Sequence, residues 1–173
     1  MIEYRAPDAD EAAAIATLAR ETFDEAFGTL YDPEDLAAFY AQWKTTEAFA
    51  GFIANPRIPI RVAYDEGAPV GFALVSLDRH LDYDPSPRTA IELAQLYIRS
   101  AYHGRGVAQA LMAWVEEEAE TADADEIVLS VYSENHRGLA FYTKHGFVKA
   151  ADTTFVVGKQ VDAEYLYVKH LKE

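Results

Sequence analysis

The sequence predicts an α/β fold, a single domain over residues 1–173 with a mixed, mostly antiparallel central sheet flanked by helices. Three observations carry that expectation. Apolar, β-branched runs alternate along the chain with stretches of helical period. Two of those runs, Ile58 to Tyr64 and Val70 to Leu77, are joined by the turn-forming cluster Asp65-Glu66-Gly67-Ala68-Pro69 and read as an antiparallel hairpin. A third run, Thr89 to Ile98, passes through a short glycine turn directly into an amphipathic helix. With 173 residues, half of them hydrophobic, the chain is long enough for one domain with a real core.

Taken in order, Ile2 to Arg5 is a short strand. Asp8 and Glu11 form a capping box for a helix reaching about Phe27, with Ala12, Ile15, Leu18, Ala19, Phe23 and Phe27 on its core stripe. Gly28 stops this helix, and Asp32-Pro33-Glu34 starts another whose Leu36, Phe39, Tyr40 and Trp43 recur at helical spacing. A further helical stretch, Thr46 to Ala54, ends at Asn55-Pro56, because the residue before a proline is pushed out of the helical region. The hairpin follows, then a loop from Asp78 to Arg88 with two prolines, then the strand from Thr89 to Ile98. The helix after the glycine turn places Val107, Leu111 and Trp114 on one stripe. Glu126 to Tyr132 is an alternating strand, and about Asn135 to Lys144 a helix ended by Gly146. Phe147 to Lys149 and Glu164 to Leu171 are the last two strands.

The glycine turn is the most informative stretch. Between strand and helix lies His103 to Ala108, HGRGVA, and the first N–H groups of a helix have no intrahelical partners. Gly104 and Gly106 allow a ligand close to that backbone, the helix dipole favours an anion there, and Arg105 adds a full charge. Two phosphate-binding motifs are excluded by spacing. A nucleotide P-loop needs Lys and Ser or Thr after its last glycine, where this chain has Val107 and Ala108. A dinucleotide fingerprint needs a third glycine where Gln109 stands. What remains, His103-x-x-Gly106-x-Ala108, resembles the acyl-CoA signature of the GNAT acyltransferases, with His in place of the usual Gln or Arg.

A second segment supports the same resemblance. Asn135, Gly138, Tyr142, Gly146 and Phe147 occupy the places of the GNAT closing motif, with Gly138 where Ala is usual. The element order agrees as well. The resemblance implies a GNAT fold and an N-acetyltransferase that uses acetyl-CoA as cosubstrate. It places the diphosphate at His103, Gly104, Arg105, Gly106, Val107 and Ala108, and pantetheine along the backbone of Tyr97 and Ile98 and at Asn135. Tyr142 would serve as the acid beside the departing sulfur, since expulsion of a thiolate calls for a positioned proton donor. Tyr142 also has the reading of a core aromatic, and Asn135 that of a helix cap. Glu92, one acid in an otherwise apolar strand, is the candidate base, because a protonated amine cannot attack a thioester; ordered water is the alternative.

Composition bounds the partners. The formal charge of −14, from 15 basic and 29 acidic residues, argues against a nucleic-acid partner; it reads either as solubility or as long-range attraction of a cationic small-molecule amine. The segment around Glu21 to Phe27, with Tyr31 and the helix start at Asp32, loosely resembles bacterial GNAT members that acetylate spermine and spermidine, so Phe27 and Tyr31 are candidates for the acceptor site. A protein or peptide amine, an antibiotic amine and a catalytically silent acyl-CoA-binding module are the alternatives. The five histidines show no metal-ligand spacing and cysteine is absent, so no metal is expected. No apolar run reaches membrane-spanning length, and the N-terminus is acidic rather than basic and then apolar, so no membrane partner and a cytoplasmic location are expected. A homodimer stays an open alternative to a monomer.

Overall fold

The computed structural model describes all 173 residues. Seven strands and five α-helices follow one another as β1 (Ile2–Arg5), α1 (Ala12–Phe27), α2 (Pro33–Trp43), α3 (Thr46–Ala54), β2 (Ile60–Asp65), β3 (Ala68–Ser76), β4 (Ala90–Ile98), α4 (Val107–Thr121), β5 (Glu126–Tyr132), α5 (His136–Lys144), β6 (Val148–Val157) and β7 (Gln160–His170). The strands form one sheet in the order β1-β2-β3-β4-β5-β7-β6. Every neighbouring pair is antiparallel except β4 and β5, which α4 connects and which run parallel.

The two faces of the sheet are covered by different helices. On one face Val107, Leu111, Met112, Trp114 and Val115 of α4 pack with Val75, Ile91, Leu93, Ile127 and Leu129. On the other, Ile15, Leu18 and Ala19 of α1 and Phe49 of α3 pack with Ile60, Val62, Phe72 and Leu74. Helical and strand periods meet here: residues three or four apart on a helix cover alternate residues on a strand. The starts of the helices are built as their sequences suggest. The Glu11 carboxylate accepts from the Asp8 N–H at 2.6 Å, and the Thr45 hydroxyl accepts from the Ala48 N–H at 3.0 Å.

Two expectations are corrected. The last two strands are far longer than Phe147 to Lys149 and Glu164 to Leu171, and they meet as a hairpin across Gly158, whose φ is +56°. β6 lies at the sheet edge with most of its residues exposed, so it carries no buried alternation to betray it. Trp43 does not join a core stripe; it is 54% exposed, and Leu36 is the one fully buried residue of α2. No helix is long and apolar enough to cross a membrane.

Candidate active site

The site exists because β4 and β5 separate. They pair at Ala90 with Glu126, Ile91 with Ile127 and Glu92 with Val128, and no further, although both strands continue. Against β3 the register of β4 slips by one residue at Ala94, a bulge that bends the strand. Beyond the bulge, β4 and β5 splay, and two cavities open beside them. Phe27, Leu96, Tyr97, Asn135 and Tyr142 line both, so the cavities meet at these five side chains.

The larger cavity, about 460 Å³, lies between β4, the start of α4 and the face of α5. Gly104 and Gly106 both have left-handed backbones, with φ of +75° and +82°, and Gly106 caps α4. The first intrahelical bond at this end runs from the Ala110 N–H to the Gly106 carbonyl, which leaves the Val107, Ala108 and Gln109 amides without helical acceptors. No acidic residue sits in this first turn. Such an end is a ready anion site. Arg137 and Lys144 of α5 line the same cavity and add positive charge, while burial holds the nearby His145 imidazole below its ordinary value. Arg105 does not line it; its guanidinium lies over the Tyr102 ring, 4.6 Å from the centroid. The His103 ring bonds back to the Ile98 carbonyl through Nε2 at 3.0 Å, tying the turn to the end of β4.

Asn135 caps α5, its Oδ1 accepting from the Gly138 N–H at 3.0 Å, and faces both cavities. The glycine at 138 has a local reason. A Cβ there would stand 2.6 Å from Asn135 Nδ2, so a larger residue makes the amide end of the capping side chain shift. One turn further, Tyr142 stands where the cavities meet. Burial pushes its hydroxyl above the ordinary tyrosine value, which keeps it protonated at neutral pH.

The smaller cavity, about 130 Å³, is largely aromatic, with Phe23, Phe27, Tyr31, Tyr97, Tyr132 and Phe155 in its wall. Glu164 of β7 is the single carboxylate among its lining residues. Burial raises the Glu164 carboxyl above its ordinary value, a hydrogen bond from Ser130 opposes that, and Asp162 adds to it. Tyr31 closes one side by donating to the Asp162 carboxylate at 2.5 Å. Behind the wall lies Lys44, 3% exposed, with its ammonium 5.2 to 5.7 Å from the Phe23, Phe39 and Tyr97 ring centroids. Its one side-chain hydrogen bond goes to Gln95 Oε1 at 3.2 Å, and Gln95 lines the cavity. Burial pushes the Lys44 amine down to about 8.

The structure thus brings together Tyr97, Ile98, His103, Gly104, Gly106, Val107, Ala108, Asn135 and Tyr142 around the larger cavity, and Phe27 and Tyr31 around the smaller. Glu92 lines neither. It is 6% exposed, accepts from the His80 backbone N–H at 2.7 Å, and lies 3.7 Å from the His80 ring. Its carboxylate therefore anchors the loop after β3. Sequence reasoning missed Glu164, Phe23, Arg137 and Lys144. Glu164 lay at the first residue of an expected strand with no motif to mark it, whereas Arg137 and Lys144 sat in plain view on α5. No group of three or more His, Asp or Glu side chains is placed to hold a metal ion.

A family model described as Acetyltransferase (GNAT) family matches residues 13–147. An uncharacterized N-acetyltransferase of Mycobacterium tuberculosis is 35% identical over 164 residues, 95% of this chain and 98% of the relative. The chain belongs to the GNAT acetyltransferase family. Among more distant GNAT relatives, the aminoalkylphosphonate N-acetyltransferase of Salmonella typhimurium is 27% identical over 101 residues, 58% of this chain and 64% of that one. The GNAT fold is shared with solved structures. The PaiA N-acetyltransferase of Thermoplasma acidophilum, solved in complex with coenzyme A, superposes with a TM-score of 0.80 at 19% identity, covering 98% of this chain and 99% of that one. The ribosomal-protein-S18-alanine N-acetyltransferase of Escherichia coli gives 0.71 at 14% identity, covering 100% and 96%.

Proposed function

We propose that this GNAT enzyme moves the acetyl group of acetyl-CoA to a primary amine by direct attack in a ternary complex, with no acetyl-enzyme intermediate. The observation that carries this reading is the meeting of two unlike cavities at Tyr142, one built around a helix N-terminus and one lined by aromatic rings and a carboxylate. The residues fit acetyl-CoA. A Cβ at Gly104 or Gly106 would meet no protein atom within 4 Å, so the space above this turn is open to a diphosphate. The free amides of Val107 to Gln109 are its donors, with Arg137 and Lys144 as cations within the same cavity. Pantetheine follows the splayed part of β4 past Tyr97 and Ile98 and reaches Asn135, which leaves the thioester at Tyr142.

Attack by the amine forms the C–N bond and puts negative charge on the carbonyl oxygen. Collapse breaks the C–S bond as the Tyr142 hydroxyl gives its proton to the sulfur, and the tyrosinate regains a proton from the acetylated nitrogen. The protein contributes position and a proton; the thioester contributes the driving force.

The acceptor reading is a cationic amine, with a polyamine as the finer candidate. Aromatic faces attract an ammonium, and a net charge of −14 draws polycations from a distance. A cavity of about 130 Å³ takes one slender arm, and the buried Lys44 behind it disfavours a second cation at depth. The rest of a polyamine would remain outside, among the surface acids. The relatives' names span an aminoalkylphosphonate and an alanine of a ribosomal protein, so the cavity itself has to discriminate. Spermidine, spermine, basic peptides and small neutral amines are to be compared at two ionic strengths by release of free thiol, with acetyl-CoA binding measured separately. Preference for spermidine that weakens as salt rises is expected. Preference for an anionic or neutral acceptor, insensitive to salt, sinks the polyamine reading and leaves acetyl transfer standing. Tight acetyl-CoA binding with no turnover on any amine sinks both.

A further inference from the structure

We propose that Glu164, on β7 in the wall of the smaller cavity, is the carboxylate that receives the acceptor's ammonium and takes its proton before attack. The inference rests on the acetyl-transfer reading of the site and names the base within it.

Three observations converge on Glu164. It is the single carboxylate in a cavity that also contains Tyr142, whereas the strand acid Glu92 is committed to the His80 backbone. It lies on β7, a strand paired on both sides, opposite Tyr132 at the end of β5 and Thr153 of β6, rather than on a loop. Its neighbour on the same face of the strand, Asp162, is buried and held by two donors, the Tyr31 hydroxyl at 2.5 Å and Gln160 Nε2 at 2.8 Å. Asp162 is thus occupied by protein donors, and Glu164 is the acid left facing the cavity. Burial raises the Glu164 carboxyl, which makes it a better proton acceptor than a solvated carboxylate.

The proton count closes. The acceptor enters as R–NH₃⁺ and pairs with the Glu164 carboxylate, which takes one proton and frees the nitrogen lone pair. Attack forms the C–N bond and gives a nitrogen bearing two protons. Loss of the C–S bond transfers the Tyr142 proton to sulfur; one nitrogen proton restores the tyrosine and the other stays on the amide. Glu164 then gives its proton to solvent as product leaves, so one proton is released per turnover. No other co-reactant is needed.

The groups facing Glu164 are Tyr31, Tyr97, Tyr132, Ser130 and Asp162, with Tyr142 across the cavity and Lys44 behind Tyr97. Burial raises Tyr31, Tyr97 and Tyr142 above the ordinary tyrosine value, so they keep their protons through neutral pH. Lys44 is present in both wild type and variant and cancels in their ratio.

The experiment compares wild type with Glu164→Gln and Glu164→Asp on whichever of spermidine, n-propylamine and a basic peptide the wild type acetylates fastest, with kcat/KM measured from pH 6.5 to 9.5. Wild-type turnover tests the acetyl-transfer reading; the variant-to-wild-type ratio tests Glu164. Glu164→Gln is expected to lower kcat/KM about 100-fold near pH 7 with acetyl-CoA affinity unchanged. Because its amine must then lose a proton to solvent, the ratio of its kcat/KM to that of the wild type should climb about tenfold per pH unit, toward an amine pKa of roughly 10. Glu164→Asp, which keeps a carboxylate, should restore the wild-type profile at reduced rate. A Glu164→Gln profile parallel to wild type overturns the proposal, whatever the size of the loss, because a merely structural defect does not change the slope. Absence of wild-type turnover on every amine overturns both this and the reading beneath it.

Discussion

Tyr31 and Asp162 lie 131 residues apart and share a 2.5 Å hydrogen bond, the tyrosine hydroxyl donating to a buried carboxylate. This contact fastens the connection between α1 and α2 onto β7 and closes one side of the small aromatic cavity. Tyr31→Phe leaves one Asp162 oxygen without its donor, at a cost of about 1 to 3 kcal/mol. Denaturant melts should register that loss, and the amine KM should rise several-fold while acetyl-CoA affinity holds. Unchanged stability together with an unchanged KM would mean that the contact has no part in the acceptor site.

Tyr142→Phe keeps the ring contacts with Phe141 and Phe147 and removes the hydroxyl. The single-turnover rate should fall about 100-fold with acetyl-CoA affinity nearly intact. A variant that keeps the full single-turnover rate removes Tyr142 from the acid role.

Gly106 separates strain from charge. Gly106→Ala meets no atom within 4 Å, so its cost is that of a left-handed backbone at φ +82°, about 1 kcal/mol. Gly106→Glu adds a negative charge where α4 presents its free amides. Calorimetry should find a modest loss of acetyl-CoA affinity in the alanine variant and a loss at least tenfold greater in the glutamate variant. Equal losses would place the diphosphate elsewhere.

Gly138→Ala improves helix propensity by about 1 kcal/mol but drives a Cβ to within 2.6 Å of Asn135 Nδ2. The expected result is little net change in melting temperature and a clear loss of catalytic efficiency, as Asn135 leaves its place between the cavities. A gain in stability with full activity would show that Asn135 shifts without consequence.

Lys44 makes stability depend on alkaline pH. Its folded-state value, about 8, lies below the ordinary 10.5, so below pH 8 both states carry the charge and the burial cost is fully present. Between pH 8 and 10.5 the unfolded chain holds a proton that the folded chain has lost, and stability from this residue rises with pH. The shift corresponds to roughly 3 kcal/mol. Lys44→Met should therefore be more stable than wild type at pH 7, and the gap should narrow toward pH 10. A gap that does not narrow would mean that Lys44 is not desolvated.

The segments with strong local signals were legible. The hairpin of β2 and β3, the strand β5, and the glycine turn before α4 lie close to where their patterns put them, because turn chemistry and buried alternation act over a few residues. Less legible was β6, an exposed edge strand whose pairing with β7 comes from backbone hydrogen bonds that any sequence can make. The two glutamates show the same division in the site. Glu92 stood out as one acid in an apolar strand, yet folding turns it to His80; Glu164 carried no local mark, yet the register of β7 against β5 sets it in the cavity.

The sequence by itself determined the family and the glycine turn that opens α4, since left-handed glycines, a free helix start and the spacing from Asn135 to Phe147 are properties of short stretches. Tertiary structure alone decided the small aromatic cavity. Its wall draws Phe23 and Tyr31 from the first fifth of the chain, Tyr97 from the middle and Phe155 and Glu164 from the end, and these meet only because β4 and β5 part after three paired residues. Which carboxylate faces a cavity is set by strand register, where a slip of one residue reverses every side chain, and register is fixed by the packing of the whole sheet.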